Sequence, residues 1–180
     1  MSKLISLFLI MMPLHALASE QAPYAGEERR AIKSLSAQEV HSLQNGGGMG
    51  FAKVAELNHF PGPRHVLDAC DELELSPSQL AATQSLYEEM RRNAVDLGEE
   101  LLLAESQLDQ DFAAGAIRSD AIRDALLEIG TIRARLRYVH LESHLRQKQL
   151  LTAEQIKKYD ELRGYDGAMQ DHSKHSNTDH

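Results

Sequence analysis

His140 and His144 stand four residues apart in a stretch that holds neither Pro nor Gly from 131 to 163. On a helix that spacing makes the two imidazoles neighbours on one face. Two neutral imidazoles can bind a borderline transition metal (Zn, Ni, Co or Cu), and a carboxylate and a thioether can complete such a set. If the two long helical segments fold back on each other about Ala116 and Ile117, residues 89 to 93 come opposite His144 and His140. Glu89 and Met90 are therefore the expected further ligands. The pair also has a plainer use, as packing residues at a helix seam bonded to Glu89 or Asn93. The HxxxH spacing lacks the Glu of HExxH, so it carries no built-in general base for a metalloprotease.

Other chemistry-bearing residues are scattered. His59 and His65 flank Phe60-Pro-Gly-Pro63, with Glu56 upstream, either half of a site or a turn with polar rims. The last ten residues hold His172, His175 and His180 with Asp171 and Asp179, a composition that holds metal loosely or is simply solvated. Cys70 is the only cysteine, which excludes an intramolecular disulfide and any CxxC site. Asp68, Asp71 and Glu72 disfavour its thiolate, so it reads as a small buried apolar residue. Gly46-Gly-Gly-Met-Gly50 lacks the Lys-Ser/Thr ending of a phosphate loop and follows a helix, so it reads as a hinge. No nucleophile elbow or Ser/His/Asp arrangement occurs, and the chain is expected not to be an enzyme.

The elements that must position these residues are helices. Of 180 residues only four are Phe and five Tyr, with no Trp, so the core must come from Leu, Ile, Ala and Met, which favour helix. The net charge of −8 argues against a nucleic-acid partner. Residues 1–18, MSKLISLFLIMMPLHALA, have a basic start, an apolar run and the small-x-small end Ala16-Leu17-Ala18, the pattern of an export leader cut after Ala18. An uncleaved anchor is the other use of such a run.

Residues 19–34 are expected to be a loose arm, within a 19–62 region of arm and short helices. Ser36 and Glu39 form a capping box opening a short helix that ends at Asn45. A second short helix is expected from Phe51 to about Leu57, and a third from Pro63 to about Leu73. Ser76, Pro77 and Gln79 then open a long helix. Its residues Leu80, Thr83, Tyr87, Met90, Ala94, Leu97, Leu101, Ala104 and Leu108 alternate steps of three and four, a heptad seam. It is expected to run to about Ala113, and Gly115 ends it. Ser119 is the expected cap of a return helix to about Gln149, with Ile122, Ala125, Ile129, Ile132, Leu136 and Val139 as its seam. Thr152 and Gln155 open a last helix that stops at Gly164, and 166–180 reads as a disordered His-rich tail. Residues 77–112 carry eight acids and two Arg, residues 121–150 six bases and three acids, so the long helices attract each other.

Two segments of one form, Leu75-Ser76-Pro-Ser-Gln79 and Leu151-Thr152-Ala-Glu-Gln155, each open a helix. With the leader and the all-helical remainder, they resemble the LTxxQ motif of the Spy/CpxP family of periplasmic proteins, over about residues 63–165. Ser76 replaces the motif's Thr and keeps a capping hydroxyl. The resemblance implies an all-α fold, a long antiparallel helical hairpin with short flanking helices, assembled as an antiparallel, cradle-like dimer. It also implies an ATP-independent chaperone that binds unfolded clients in the envelope stress response, or a metal-responsive partner of an envelope sensor protein. Leu141 and Leu145 lie off the inner seam and need a partner, which points to a homodimer contact.

Overall fold

Three Ser or Thr caps mark the main starts of helix in the computed structural model, which describes residues 22–165. The leader expected over 1–18 and the His-rich tail over 166–180 lie outside those residues. Ser36, Ser76 and Thr152 each accept the backbone N–H of the residue three on, while Glu39, Gln79 and Gln155 bond back to the cap N–H. They open α1 (Ala37–Gln44), α4 (Pro77–Ala113) and α6 (Ala153–Arg163). The remaining helices are α2 (Lys53–Glu56), α3 (Pro63–Asp68) and α5 (Ser119–Leu150), with a 3-10 turn at Glu27–Arg29. The described residues contain no strand, and none of their helices is long and apolar enough to cross a membrane.

The 37 residues of α4 make a rod of about 55 Å. α5 lies antiparallel beside it: Thr83 meets Gln147, Glu89 meets Arg146, and Glu105 meets Arg133. Met90, Ala94, Leu97 and Leu101 pack on Ile129, Ile132 and Leu136. The expected seams are thus in place, with two differences. Leu80 stays exposed, and the α5 seam turns polar beyond Val139, where His140, Ser143 and Gln147 are buried. Gln147 donates to Thr83 at 3.1 Å.

The start of α5 departs from expectation. Arg118, not Ser119, is the N-cap residue and makes no side-chain cap. It pairs instead with Asp120 in the first turn, at 3.0 Å, where a carboxylate also suits the helix dipole. α3 ends at Asp68, short of Leu73. The chain then turns through Leu73 N–H to Ala69 O and Leu75 N–H to Cys70 O. Those turns swing Leu73 into a second core with Val66, Leu151 and Tyr159.

The short helix expected after the 19–34 arm docks on the long helices, and the arm is tied to α4 at its last two residues. Leu35 and Leu43 are buried in the same core as Leu97 and Leu101. Lys33 pairs with Asp109 at 2.8 Å, and Ser34 donates to Glu105 at 2.9 Å. α1 crosses α4 at Gly98, where a Cβ would stand 2.3 Å from the Leu43 carbonyl oxygen. The glycine run is not an open hinge. Gly47 N–H bonds Ser42 O at 2.7 Å, Phe51 N–H bonds Gly48 O at 2.7 Å, and Gly46 and Gly50 take left-handed φ.

The two motif glutamines meet. Gln79 donates to Gln155 at 2.8 Å and to the Leu150 carbonyl at 2.8 Å. Gln155 donates back to Gln79 at 3.2 Å and to the Leu73 carbonyl at 3.1 Å. Each carboxamide oxygen also accepts its own cap N–H. One side chain therefore caps a helix and ties the start of α4 to the α5–α6 corner.

Candidate functional site

A cleft of about 700 Å³ opens where the glycine run, α2 and α3 pass over the long helices, and His41, Glu56, His65, Met90, His140 and His144 are on its wall. His140 is 4% exposed and stacks on the Phe51 ring at 5.6 Å. Its Nε2 has no hydrogen-bond partner. Burial, with a smaller contribution from neighbouring His144, lowers its pKa to about 4, so the ring is neutral at pH 7. His144 donates from Nδ1 to the Phe60 carbonyl at 2.7 Å, and that nitrogen lies 3.6 Å from Glu56 Oε2.

Glu56 is the centre of this cluster. The hydroxyls of Tyr159 and Tyr165 donate to its Oε1, and Arg163 lies 3.4 Å from the same atom. Its Oε2 is buried without a hydrogen-bond partner. Burial first, then the bond to Glu56, pushes the Tyr159 hydroxyl far up and keeps it a donor. Burial and then Arg163 push His65 down. Gly62 lets the chain pass here, since a Cβ would sit 2.8 Å from the His144 ring. Nearby, His59 bonds buried Asp160 at 2.7 Å. One carboxylate thus joins α2, α5 and α6.

Of the expected metal set, His140, His144 and Met90 border one cleft and Glu89 does not. Glu89 is held bidentate by Arg146, at 2.8 and 2.9 Å, and that guanidinium lowers its pKa. The correction follows from helix geometry. Residues 144 and 146 point about 200° apart at 100° each, so the residue that faces Glu89 is Arg146, while His144 turns to α2. Glu56 stands where Glu89 was expected. Among the described residues no group of three His, Cys, Asp or Glu side chains is placed to hold a metal ion. Cys70 is a half-buried free thiol whose Sγ lies 3.8 Å from Asp71.

The sequence pointed to Glu56 only as a neighbour of His59. Tyr159, Arg163 and Tyr165 went unnoticed because α6 shows no apolar period that would aim them inward.

A second concavity, about 830 Å³, is a trough between α4 and α5 toward their connecting turn. Leu103, Leu108, Ala125 and Ile132 line it, with Glu100 and Arg135 at its rim. The rim pair bonds at 3.0 Å. Leu103 is 72% exposed and Leu127, at the trough's edge, 65%. Leu145 is 54% exposed, while Leu141 is half-buried.

Compared with known protein families, with curated proteins and with solved structures, the chain finds no match in any of the three.

Proposed function

We propose that this is an exported, ATP-independent, chaperone-like protein that holds unfolded polypeptide passively along the trough between α4 and α5. The observation that carries the reading is the exposed apolar lining of that trough, headed by Leu103. Contiguous exposed apolar surface with a polar rim is what an interaction site offers. An unfolded client supplies apolar segments for Leu103, Leu127 and half-buried Leu108 and charges of either sign for Glu100 and Arg135. No covalent chemistry is needed, because burial of client side chains drives capture. The leader-like residues 1–18 and the paired LSPSQ and LTAEQ segments, which resemble the Spy/CpxP motif, support export and the envelope setting.

The test is suppression of light scattering by a reduced, unfolding client. Removing the apolar contact of a buried Leu costs about 1.5–3 kcal/mol, about tenfold or more in affinity. Leu103→Glu, on an exposed position, should weaken protection by at least that factor with helix content unchanged. Equal protection by wild type and variant would remove the trough from the mechanism.

A second reading, capture of a transition metal, draws on His140 and His144 one turn apart with Met90 in the same cleft. It needs Glu56 in the place expected for Glu89. Titration with Zn, Ni, Co or Cu should then show a tight phase that His140→Ala with His144→Ala removes and deletion of 166–180 leaves. Loss of that phase on deleting the tail would sink it.

A further inference from the structure

The last described residue, Tyr165, stands in the wall of the cleft. α6 gives way to Gly164 at φ 72°, and Tyr165 N–H reaches back to the Asp160 carbonyl at 2.9 Å. That is a Schellman turn, which takes the chain off the helix axis. It brings the Tyr165 hydroxyl to Glu56 Oε1 at 3.2 Å. Residues 166–180 therefore continue from the wall of a cleft of about 700 Å³, a size typical of binding clefts.

Two features of that cleft fit an acidic, partly apolar segment. The first is charge. The chain carries a net −8, yet Lys53 and Arg64, both cations, are exposed on the cleft wall. The one acid there, Glu56, is largely buried and engaged by Tyr159, Tyr165 and Arg163. Lys53 has no ion-pair partner among the described residues. Arg64 bonds Asp68 at 3.2 Å with both groups more than half exposed, and such a pair holds weakly. The second feature is the rim. Met49 and Leu57 are 40% and 53% exposed. Gly48 and Gly50 leave open space where a Cβ would stand, so another backbone can lie against theirs.

We propose that residues 166–171, Asp166-Gly-Ala-Met-Gln-Asp171, turn back into this cleft and close it as a strap. Gly167 and Ala168 are small enough to pass along the glycine wall. Met169 supplies an apolar group for Met49 and Leu57, and Asp166 and Asp171 supply anions for Arg64 and Lys53. Six extended residues reach up to about 20 Å. Lys53 stands three residues from Glu56 on α2, and Tyr165 already touches Glu56. Tethering makes weak contacts sufficient, because a segment joined to the wall by a few residues is presented at a millimolar effective concentration. A solute or a foreign segment then enters the cleft only by displacing the strap. The inference rests neither on client binding at the trough nor on metal capture.

The test is linkage within one chain. In a Cys70→Ser background, Gln170→Cys is combined either with Leu57→Cys on the rim or with Leu162→Cys. Leu162 is 46% exposed on α6, two residues from Gly164, and is not part of the cleft wall. A segment free in solution meets position 162 as readily as position 57. Under mild oxidation the 57–170 disulfide should form at least about tenfold faster than 162–170. Lys53→Glu should slow it severalfold, and adding Asp171→Lys should restore it. Amide hydrogens of residues 46–53 should exchange at least about threefold faster in a chain ending at Tyr165 than in the full chain. Linkage at 162 as fast as at 57, or a rate indifferent to both charges, overturns the strap. So does equal exchange in the two chains, which would leave the cleft to a ligand from outside. No client and no metal enters these measurements, so their failure leaves both functional readings standing.

Discussion

His140 shows how one residue can hold two opposed demands. It is buried beside the α5 seam, one residue past Val139, and its Nε2 is buried without a partner. A buried polar atom in that state costs about 1–3 kcal/mol, and protonation would cost more. The folded pKa of about 4, against an ordinary 6.5, gives a defined pH signature. Its neutral-state contribution to stability is complete above pH 6.5. It is lost as pH falls from 6.5 to about 4, because only the unfolded chain takes up the proton there. The full loss is on the order of 3 kcal/mol. His65, also shifted down, acts in the same direction. Urea midpoints measured from pH 7 to pH 5 stay above the range where carboxylates such as Glu39 and Asp109 titrate. His140→Phe should flatten most of the decline and raise stability at pH 5. An unchanged slope would mean that His140 is reached by water in the folded state.

At the scale of elements, two glycines inside long helices make opposite predictions from one substitution. Replacing Gly by Ala in a helix usually stabilises by about 0.5–1 kcal/mol. Gly130 has nothing within 4 Å of a new Cβ, so Gly130→Ala should show that gain. Gly98 meets the backbone of Leu43 at 2.3 Å, and backbone cannot step aside as a side chain can. Gly98→Ala should instead cost about 1–3 kcal/mol as overpacking, with the loss seen in thermal melts and in hydrogen exchange of α1. A stabilised Gly98→Ala would mean that α1 does not cross α4 there. The capped helix starts were legible because caps and glycines act locally: Ser36, Ser76, Thr152 and Gly164 each work within a turn of chain, whereas the uncapped start of α5 and the end of α3 were not. The seam of α4 was legible for the same reason, since heptad spacing needs only one helix. What pairs across the hairpin was not. A turn rotates a side chain by 100° per residue, so an offset of one or two residues sent Glu89 to Arg146 and away from His144. Glu56 was equally hidden, because its partners come from α6, about a hundred residues on.

At the scale of the whole molecule, the region before residue 63 decides whether the long helices have a complete core. A pair of long rods has much surface for its volume, and α4 and α5 cover each other along one line only. Leu35 and Leu43 close part of the flank beside Leu97 and Leu101. Polar ties from Lys33 and Ser34 to Asp109 and Glu105 fix how that flank is covered. The ties alone are weak: the Lys33 side chain is about half exposed, and such pairs contribute about 0–1 kcal/mol. The apolar contacts must therefore supply most of the docking energy. Leu43 is 2% exposed, against 1% for Leu101 in the middle of the hairpin. If the two belong to one core, Leu43→Ala and Leu101→Ala should each cost about 2–5 kcal/mol, in a single cooperative transition. Leu126→Ala, at a 53% exposed site, should cost far less and serves as the control. A detached α1 predicts otherwise. Leu43→Ala would leave the main transition unmoved, and exchange protection would vanish from residues 32–44 while α4 and α5 kept theirs. Denaturant melts read together with hydrogen exchange separate the two, and the first outcome is the one expected from where Leu43 lies.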